Sequence, residues 1–306
     1  MARIGVDLGG TKIEAVVLSG AGEILARERT DTPQGDYQKT VQAVVDLVKQ
    51  VEALAGVSGS VGVGAPGAVS HRTGRLKNAN SVCLIDQPLR EDLSHHLQRP
   101  VRLANDADCF ALSEAVDGAA AGAGVVFGVI LGTGVGGGVV VNGALLNGPN
   151  AIAGEWGHNA LPWTGHDEIP GNRCYCGREG CIETFLSGPG MARHYEILTG
   201  QRDISSKDII KAVEQGDVTA MSYMEQYADR LSRALSSVIN LIDPHVIVLG
   251  GGLSNIDWLY QRVPEVWDAY VFSDQVETRL VKARYGDSSG VRGAAWLWPK
   301  GCDDVR

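Results

Sequence analysis

Three cysteines fall within eight residues of this chain, in Cys174-Tyr175-Cys176-Gly177-Arg178-Glu179-Gly180-Cys181. Thiolates gathered on one short glycine-containing loop suit Zn²⁺, which in structural sites takes four N or S ligands in a tetrahedron. His158, in Gly154-Glu155-Trp156-Gly157-His158, is the candidate for the fourth ligand. Spacing alone does not bring it to the loop. A closed Cys₃His set leaves no position for substrate, so the expected metal is structural. The competing reading is three free buried thiols. Cys83, Cys109 and Cys302 stand alone and are expected to be ordinary packed or exposed thiols.

Three glycine turns form a second group: Gly9-Gly10-Thr11-Lys12, Gly132-Thr133-Gly134 and Gly250-Gly251-Gly252. Backbone N–H groups of tight glycine turns make concave anion sites, and a missing Cβ lets phosphate approach. Asp7 precedes the first turn and is placed to hold Mg²⁺, which favours one or two carboxylates together with phosphate oxygens. Any one of these turns taken alone reads equally well as a hairpin turn. The phosphate loop G-x-x-x-x-G-K-[ST] is absent. Gly132, Gly134 and Gly137 match G-x-G-x-x-G, with Glu155 about 20 residues on, but a dinucleotide site needs a helix straight after the glycines. Here Val139-Val140-Val141-Asn142-Gly143 follows, a strand and a turn, which argues against an oxidoreductase. Asn105-Asp106 closes a short apolar run. A carboxylate at a strand end of an open α/β sheet faces the ligand crevice, although Asp106 also reads as the N-cap of the helical pattern behind it.

Apolar periodicity supplies the elements that must position these groups. Residues 3–8, 12–18 and 23–29 read as strands in a meander, 40–55 as a helix with Val41, Val44, Val45, Val48, Val51 and Leu54 on one face, 60–64 and 101–104 as strands, and 107–118 as a helix. Residues 128–143 (GVILGTGVGGGVVVNG) echo residues 5–20 (GVDLGGTKIEAVVLSG), and 246–252 echoes 61–67, the later strand following a helix over 223–241. Two related α/β lobes with a cleft between them are expected.

Composition narrows the function classes. Glycine, at 40 of 306 residues, is well above the usual ~7% and is expected at strand ends near a ligand. A net charge of −9 argues against a nucleic-acid partner, which needs a basic field. No ~18-residue apolar run predicts a membrane span. The start MARIGVDLGG lacks a signal-peptide pattern, so the expected compartment is cytoplasmic.

DLGGTK at 7–12, Asn105-Asp106, LGTGVGGG at 131–138, GEWGH at 154–158, CYCGREGCIE at 174–183 and VIVLGGG at 246–252 occur in the order found in the ROK family (repressors, open reading frames and kinases), which the chain resembles almost end to end. The resemblance implies a two-lobed actin-like (ribonuclease H-like) ATPase fold with an interlobe cleft. It divides the chain into a small lobe over 1–118, rejoined by a helix at about 290–306, and a large lobe over 119–289 with the zinc loop. It implies an ATP-dependent sugar kinase using Mg²⁺, with Asp106 as catalytic base. Asn105, Glu155, His158 and Glu183 correspond to the sugar-binding set, with Gly67 and Asn80 as further contacts. Asp7, the 9–12 turn, Gly132-Thr133-Gly134 and Gly250-Gly251-Gly252 serve the nucleotide. His158 is expected to hold Zn²⁺ through one ring nitrogen and sugar through the other. A homodimer is expected.

Repressor members carry an added DNA-binding segment, and this chain starts at its first strand, which favours the kinase branch over a sugar-responsive regulator. Lys77–Ser81, His158–Trp163 and the tail GDSSGVRGAAWLWP at 286–299 resemble bacterial fructokinases that also accept mannose, so fructose is the expected substrate, with N-acetylglucosamine, glucose or mannose as the alternatives. Pro162 and Trp163 are expected to wall the sugar site against an N-acetyl group, unless Trp163 turns into the core. Glu168 and Glu179 are expected as surface charges.

Overall fold

The computed structural model describes residues 2–79 and 81–299. Strands β1 (Ala2–Leu8), β2 (Lys12–Leu18) and β3 (Ile24–Asp31) open the chain, followed by helix α1 (Tyr37–Ala55) and strand β4 (Gly59–Ala65). A short hairpin of β5 (Ala68–Val69) and β6 (Leu76–Lys77) precedes α2 (Leu89–Leu97), β7 (Val101–Asn105) and α3 (Asp106–Val116). Next come β8 (Val125–Leu131), β9 (Val135–Val141) and β10 (Ala144–Leu145). A helical stretch follows: α4 (Glu183–Leu186), α5 (Gly188–Thr199), α6 (Ser206–Glu214) and α7 (Val218–Ile242). The chain then runs through β11 (Val246–Gly250), α8 (Leu259–Trp267), β12 (Arg279–Lys282) and α9 (Ser289–Trp296).

One sheet has the order β3-β2-β1-β4-β7 and a second the order β10-β9-β8-β11-β12. In each, the strand that opens a hairpin sits beside a later parallel strand, β4 in the first and β11 in the second. The echo between residues 5–20 and 128–143 is therefore a repeat of topology. The described residues divide into two compact units. The first takes residues up to 122, 138–153 and 284–299, and the second takes 123–137 and 154–283.

Helix α1 forms where Asp36 caps it by accepting from the Lys39 N–H, and it stops at Gly56, whose φ of 67° lies in the left-handed region that glycine favours. Its Val44, Val45, Val48 and Val51 pack on Ile4, Val6, Ile13, Ala15 and Val17, the inward-facing residues of β1 and β2. Helix α7 begins five residues ahead of the expected 223 because the Asp217 side chain accepts from the Ala220 N–H at 2.8 Å and caps it there. Within the described residues the closing helix spans Ser289–Trp296 and stops ahead of Pro299.

Many glycines serve packing in place of ligand approach. A Cβ on Gly5 of β1 would lie 1.9 Å from the Val291 carbonyl oxygen, and one on Gly62 of β4 would lie 1.9 Å from that of Ala294. On the other side of α9, a Cβ on Gly293 would meet the Cys109 carbonyl oxygen at 1.6 Å. Helix α9 thus lies between the sheet and α3 at distances that exclude any larger residue. Glu114 of α3, fully buried, locks this layer. Its carboxylate accepts from the N–H groups of Ala119 (2.8 Å), Arg284 (3.0 Å) and Tyr285 (3.4 Å) and from the Ser289 hydroxyl (2.7 Å).

Candidate active site

In the first unit β1, β4 and β7 run parallel, and Asp7 and Asp106 lie at the C-terminal ends of β1 and β7. That is the edge at which open α/β sheets bind ligands. Asp7 shares a face of β1 with Gly5 and points at the start of α9, where a Cβ on Gly290 would lie 3.2 Å from its Oδ2. Opposite it on β2 stands Glu14. Burial, then the charges of Asp106 and Glu14, push the Asp7 pKa up to about 6 against the partial offset of Arg29.

Asp106 is open to solvent but deep-set among protein atoms, and that desolvation raises its pKa. Its Oδ1 accepts from the Ala107 N–H at 2.8 Å, and among the described residues it makes no ion pair. Helix α3 is capped by Asn105 instead, whose Oδ1 also accepts from Ala107 N–H at 2.8 Å. The Asn105 amide donates to the Gly67 carbonyl at 2.9 Å, so Asn105 fixes the Gly67 turn and keeps one N–H free of these bonds. Gly67 has φ 81°, and a Cβ there would meet the Lys77 carbonyl oxygen at 2.3 Å. Asn80 lies outside the described residues. The 9–12 turn is braced from β3 and beyond. Thr32 donates from its hydroxyl to the Gly9 carbonyl (2.8 Å) and from its N–H to that of Thr11 (2.9 Å), while the Gln34 amide donates to that of Gly10 (2.6 Å). Lys12 is exposed.

The second unit brings His158, Cys174, Cys176 and Cys181 together, with their ligand atoms all within 4.8 Å of one another. Residues 159–161 pair with 180–182 through Leu161 N–H to Gly180 O (3.0 Å) and Ile182 N–H to Asn159 O (2.8 Å), which carries His158 to the cysteine loop. His158 Nδ1 lies 3.5 Å from Cys174 Sγ, and Cys176 Sγ lies 3.6 Å from Cys181 Sγ. A tetrahedral Zn²⁺ with Zn–S about 2.3 Å and Zn–N about 2.0 Å would separate its ligands by about 3.5–3.8 Å. The donor set fits that ion. The other ring nitrogen, Nε2, lies 3.0 Å from the Tyr175 hydroxyl, so the nitrogen expected for sugar already has a protein partner.

Glu183 opens α4 beside this quartet. Its Oε2 accepts from the Val135 N–H at 3.1 Å, and its Oε1 lies 3.7 Å from Cys174 Sγ. Glu155 is exposed, one residue before the short 3-10 turn Trp156–His158. Desolvation of the Tyr175 hydroxyl, then the charges of Glu183 and Glu155, raise its pKa to about 12. Gly157 admits the close approach of this turn to β9, since a Cβ there would lie 2.2 Å from the Val135 carbonyl oxygen.

The expectation for Glu168 fails here. Glu168 is no surface charge: it is 6% exposed and bound by Arg230 and Arg233, which follow it by 62 and 65 residues. Trp163 is neither in the core nor shown against the sugar residues. It is 54% exposed, and its ring lies 5.3 Å from that of Tyr270. Glu179 is exposed as expected.

Gly132-Thr133 and Gly250-Gly251-Gly252 follow neighbouring parallel strands, β8 and β11. Gly251 has φ 80°, and a Cβ there would meet the Leu131 carbonyl oxygen at 2.5 Å. A cavity of about 520 Å³ opens here, lined by Gly132, Thr133 and Gly252 and also by Gly188-Pro189 and Ser205-Ser206-Lys207. Sequence reasoning missed this last group. Its signal is the Ser205-x-x-Asp208 pattern, a capping box in which Ser205 Oγ accepts from Asp208 N–H and Asp208 accepts from Ser205 N–H, so the start of α6 is fixed at the cavity. Gly134 does not line the cavity among the described residues. A Cβ there would instead sit 2.7 Å from Glu183 Oε2.

The comparisons agree with this architecture. The chain is 43% identical over 297 residues to an N-acetyl-D-glucosamine kinase of Pectobacterium atrosepticum, covering 96% of this chain and 97% of the relative. It is 41% identical over 299 residues to an N-acetyl-D-glucosamine kinase of Mannheimia succiniciproducens, covering 96% and 98%. Its structure is similar to the ROK hexokinase of Thermus thermophilus, with a TM-score of 0.86, 33% identity and 96% and 97% of the two chains covered. It is also similar to a ROK glucokinase of Streptomyces griseus solved with glucose and AMPPNP, with a TM-score of 0.78, 28% identity and 97% and 99% covered. Both curated relatives are N-acetyl-D-glucosamine kinases and not the fructokinases that residues 77–81, 158–163 and 286–299 resemble. The fold is the two-lobed actin-like α/β fold. The profile of the ROK family matches residues 3–301, and the chain belongs to that family.

Proposed function

We propose that this protein is an ATP-dependent hexose kinase that phosphorylates N-acetyl-D-glucosamine at its 6-hydroxyl. The observation that carries the reading is Asp106: a carboxylate at the C-terminal edge of a parallel sheet, held by one backbone N–H, free of any ion pair among the described residues, and with a raised pKa. A base must be accessible and must not already be satisfied by a cation, and its efficiency rises as its pKa approaches the working pH. The choice of sugar is supported by the full-length identity to N-acetylglucosamine kinases.

In this reading the 6-hydroxyl oxygen attacks the γ-phosphorus of ATP while Asp106 takes the hydroxyl proton. The bond between the γ-phosphorus and the β–γ bridging oxygen breaks, and its electron pair leaves with ADP. The glycine-lined cavity beside Gly132, Thr133 and Gly252 takes the nucleotide, and Lys207 offers its cation there. Asp7 is the residue to hold Mg²⁺, whose charge would offset that of the phosphates. Glu155 and Glu183 accept hydrogen bonds from sugar hydroxyls. His158, Cys174, Cys176 and Cys181 would hold Zn²⁺, which would fix the loop that carries them and supply no chemistry of its own. In this reading Trp163, packed on Tyr270, leaves room for the N-acetyl group.

The test is kcat/KM for N-acetylglucosamine, glucose, mannose and fructose with Mg-ATP under one set of conditions. N-acetylglucosamine is expected highest. Fructose highest would restore the fructokinase reading, and no turnover on any hexose would remove the kinase reading altogether.

A further inference from the structure

Helix α7 carries Tyr223, Tyr227, Arg230 and Arg233 on one buried face, at the spacing of successive turns. Every one of these polar tips reaches across to the segment that builds the sugar side of the site. The Tyr223 hydroxyl donates to the Met191 carbonyl at 2.6 Å and that of Tyr227 to the Leu186 carbonyl at 2.8 Å. Arg230 Nε donates to Glu168 Oε1 at 2.8 Å. Arg233 grips the same carboxylate with both terminal nitrogens, Nη2 to Oε1 at 2.7 Å and Nη1 to Oε2 at 2.9 Å. Nη1 also reaches the carbonyls of Pro162 and Trp163, each at 3.0 Å. Glu168 Oε2 accepts the Gly165 N–H at 3.0 Å as well. Residues 162–168 are thus nailed to α7 at both ends.

These contacts sit one step from the proposed sugar residues. The 159–161 stretch, directly ahead of Pro162, is the one paired with 180–182, and that pair is flanked by His158 and Glu183. From the other side the Arg230 guanidinium lies 5.6 Å above the Phe185 ring in α4, the short helix that Glu183 opens. The cluster is charged when it need not be for stability: a buried ion pair is seldom better than well-packed apolar residues of the same volume. What two guanidinium forks on one carboxylate do supply is fixed direction and distance.

We propose that Glu168, Arg230 and Arg233 are positioning residues for the sugar site, setting the placement of His158 and Glu183 without touching substrate. The inference rests on the sugar-kinase reading above. Burial alone would raise the Glu168 pKa, but hydrogen bonds from Arg233 and Arg230 more than reverse this and hold it at about 2, so the cluster stays charged at any working pH. Asp229, which accepts from Arg233 Nε at 2.8 Å and from the Tyr270 hydroxyl at 2.8 Å, orients the fork from behind.

The test compares the zinc-loaded full chain with Arg233→Lys, which keeps the charge and loses the fork, and with Tyr270→Phe, which only releases Asp229. For Arg233→Lys, kcat/KM for the sugar is expected to fall about tenfold, since sub-ångström misplacement is felt on that scale. KM for ATP should stay within about twofold of wild type and zinc per chain should be unchanged. Tyr270→Phe should move sugar kcat/KM the same way by about threefold, and it decides the matter if Arg233→Lys does not fold. Unchanged sugar kcat/KM in a folded variant overturns the proposal, as does an equal rise in both KM values or activity that returns on adding zinc, because each of these marks a purely structural or metal-retaining role. Wild-type protein inactive on every hexose removes the kinase reading and this one with it. An active wild type with unmoved variants removes only this one.

Discussion

Replacing Gly134 by alanine separates nucleotide from sugar effects. The Gly134 backbone is outside the left-handed region, so the change adds a methyl group without torsional strain. That methyl would lie 2.7 Å from Glu183 Oε2, against an ordinary contact of 3.4 Å or more. The carboxylate end must therefore retreat by about 0.7 Å, and it surrenders the 3.1 Å bond from the Val135 N–H. A misplacement of about 1 Å is associated with roughly 10²-fold loss, so 0.7 Å points to a fall of a few tens-fold in kcat/KM for N-acetylglucosamine. Stability should change little. Losing one hydrogen bond costs about 1 kcal/mol, and the lower backbone entropy of an unfolded chain with alanine offsets about half of that or more. Melting curves and steady-state kinetics with each substrate varied in turn check this. The predicted result is near-wild-type melting, unchanged KM for ATP and impaired use of sugar. A raised KM for ATP with sugar kinetics intact would refute the reasoning and return Gly134 to the nucleotide.

Three further outcomes follow from the same geometry. Asp106→Asn should keep sugar binding, measured by calorimetry, while kcat falls by about 10²–10⁴. Because burial raises the Asp106 pKa, Asp106 should contribute to an acid limb of wild-type kcat/KM, activity being lost as pH drops through it, and the variant should keep only the limb set by Asp7. Atomic emission should find about one zinc per chain, and Cys181→Ala should lower zinc content and melting temperature together, because structural zinc contributes directly to folding. Glu114→Gln should be destabilised by about 1–3 kcal/mol, since whichever way the amide turns its N–H₂ faces a backbone N–H, either those of Ala119 and Arg284 or that of Tyr285, and differential scanning would show a melting temperature lower by several degrees.

What could be read in the sequence was what is local. The valines of α1 at helical spacing, the alternating apolar β1 and β2, and the hairpin echo at 128–143 all report periods of a few residues. The Cys₃His quartet was legible because three of its members share one loop. The fourth, His158, comes home through the pairing of 159–161 with 180–182, a segment that contains Cys181 itself. Glu168 could not be read, since its burial depends on arginines more than 60 residues later on α7. Gly5 and Gly62 fell inside expected strands, and nothing local said that helix α9 is laid over them. Ser205–Lys207 carried a helix-start signal, but nothing local said that this helix opens onto the cavity beside Gly132 and Gly252. Fructose was read from three short stretches of sequence, where a few residues stand for a whole pocket.

The most direct test follows the phosphoryl group itself. Phosphorus NMR of the protein with Mg-ATP and N-acetyl-D-glucosamine should show ADP and a new phosphomonoester in equal amounts, the ester signal split by the two methylene protons at carbon 6. Wild type should give that signal and Asp106→Asn almost none. Inorganic phosphate in place of the ester, an ester at another carbon, or undiminished product from Asp106→Asn would contradict the account.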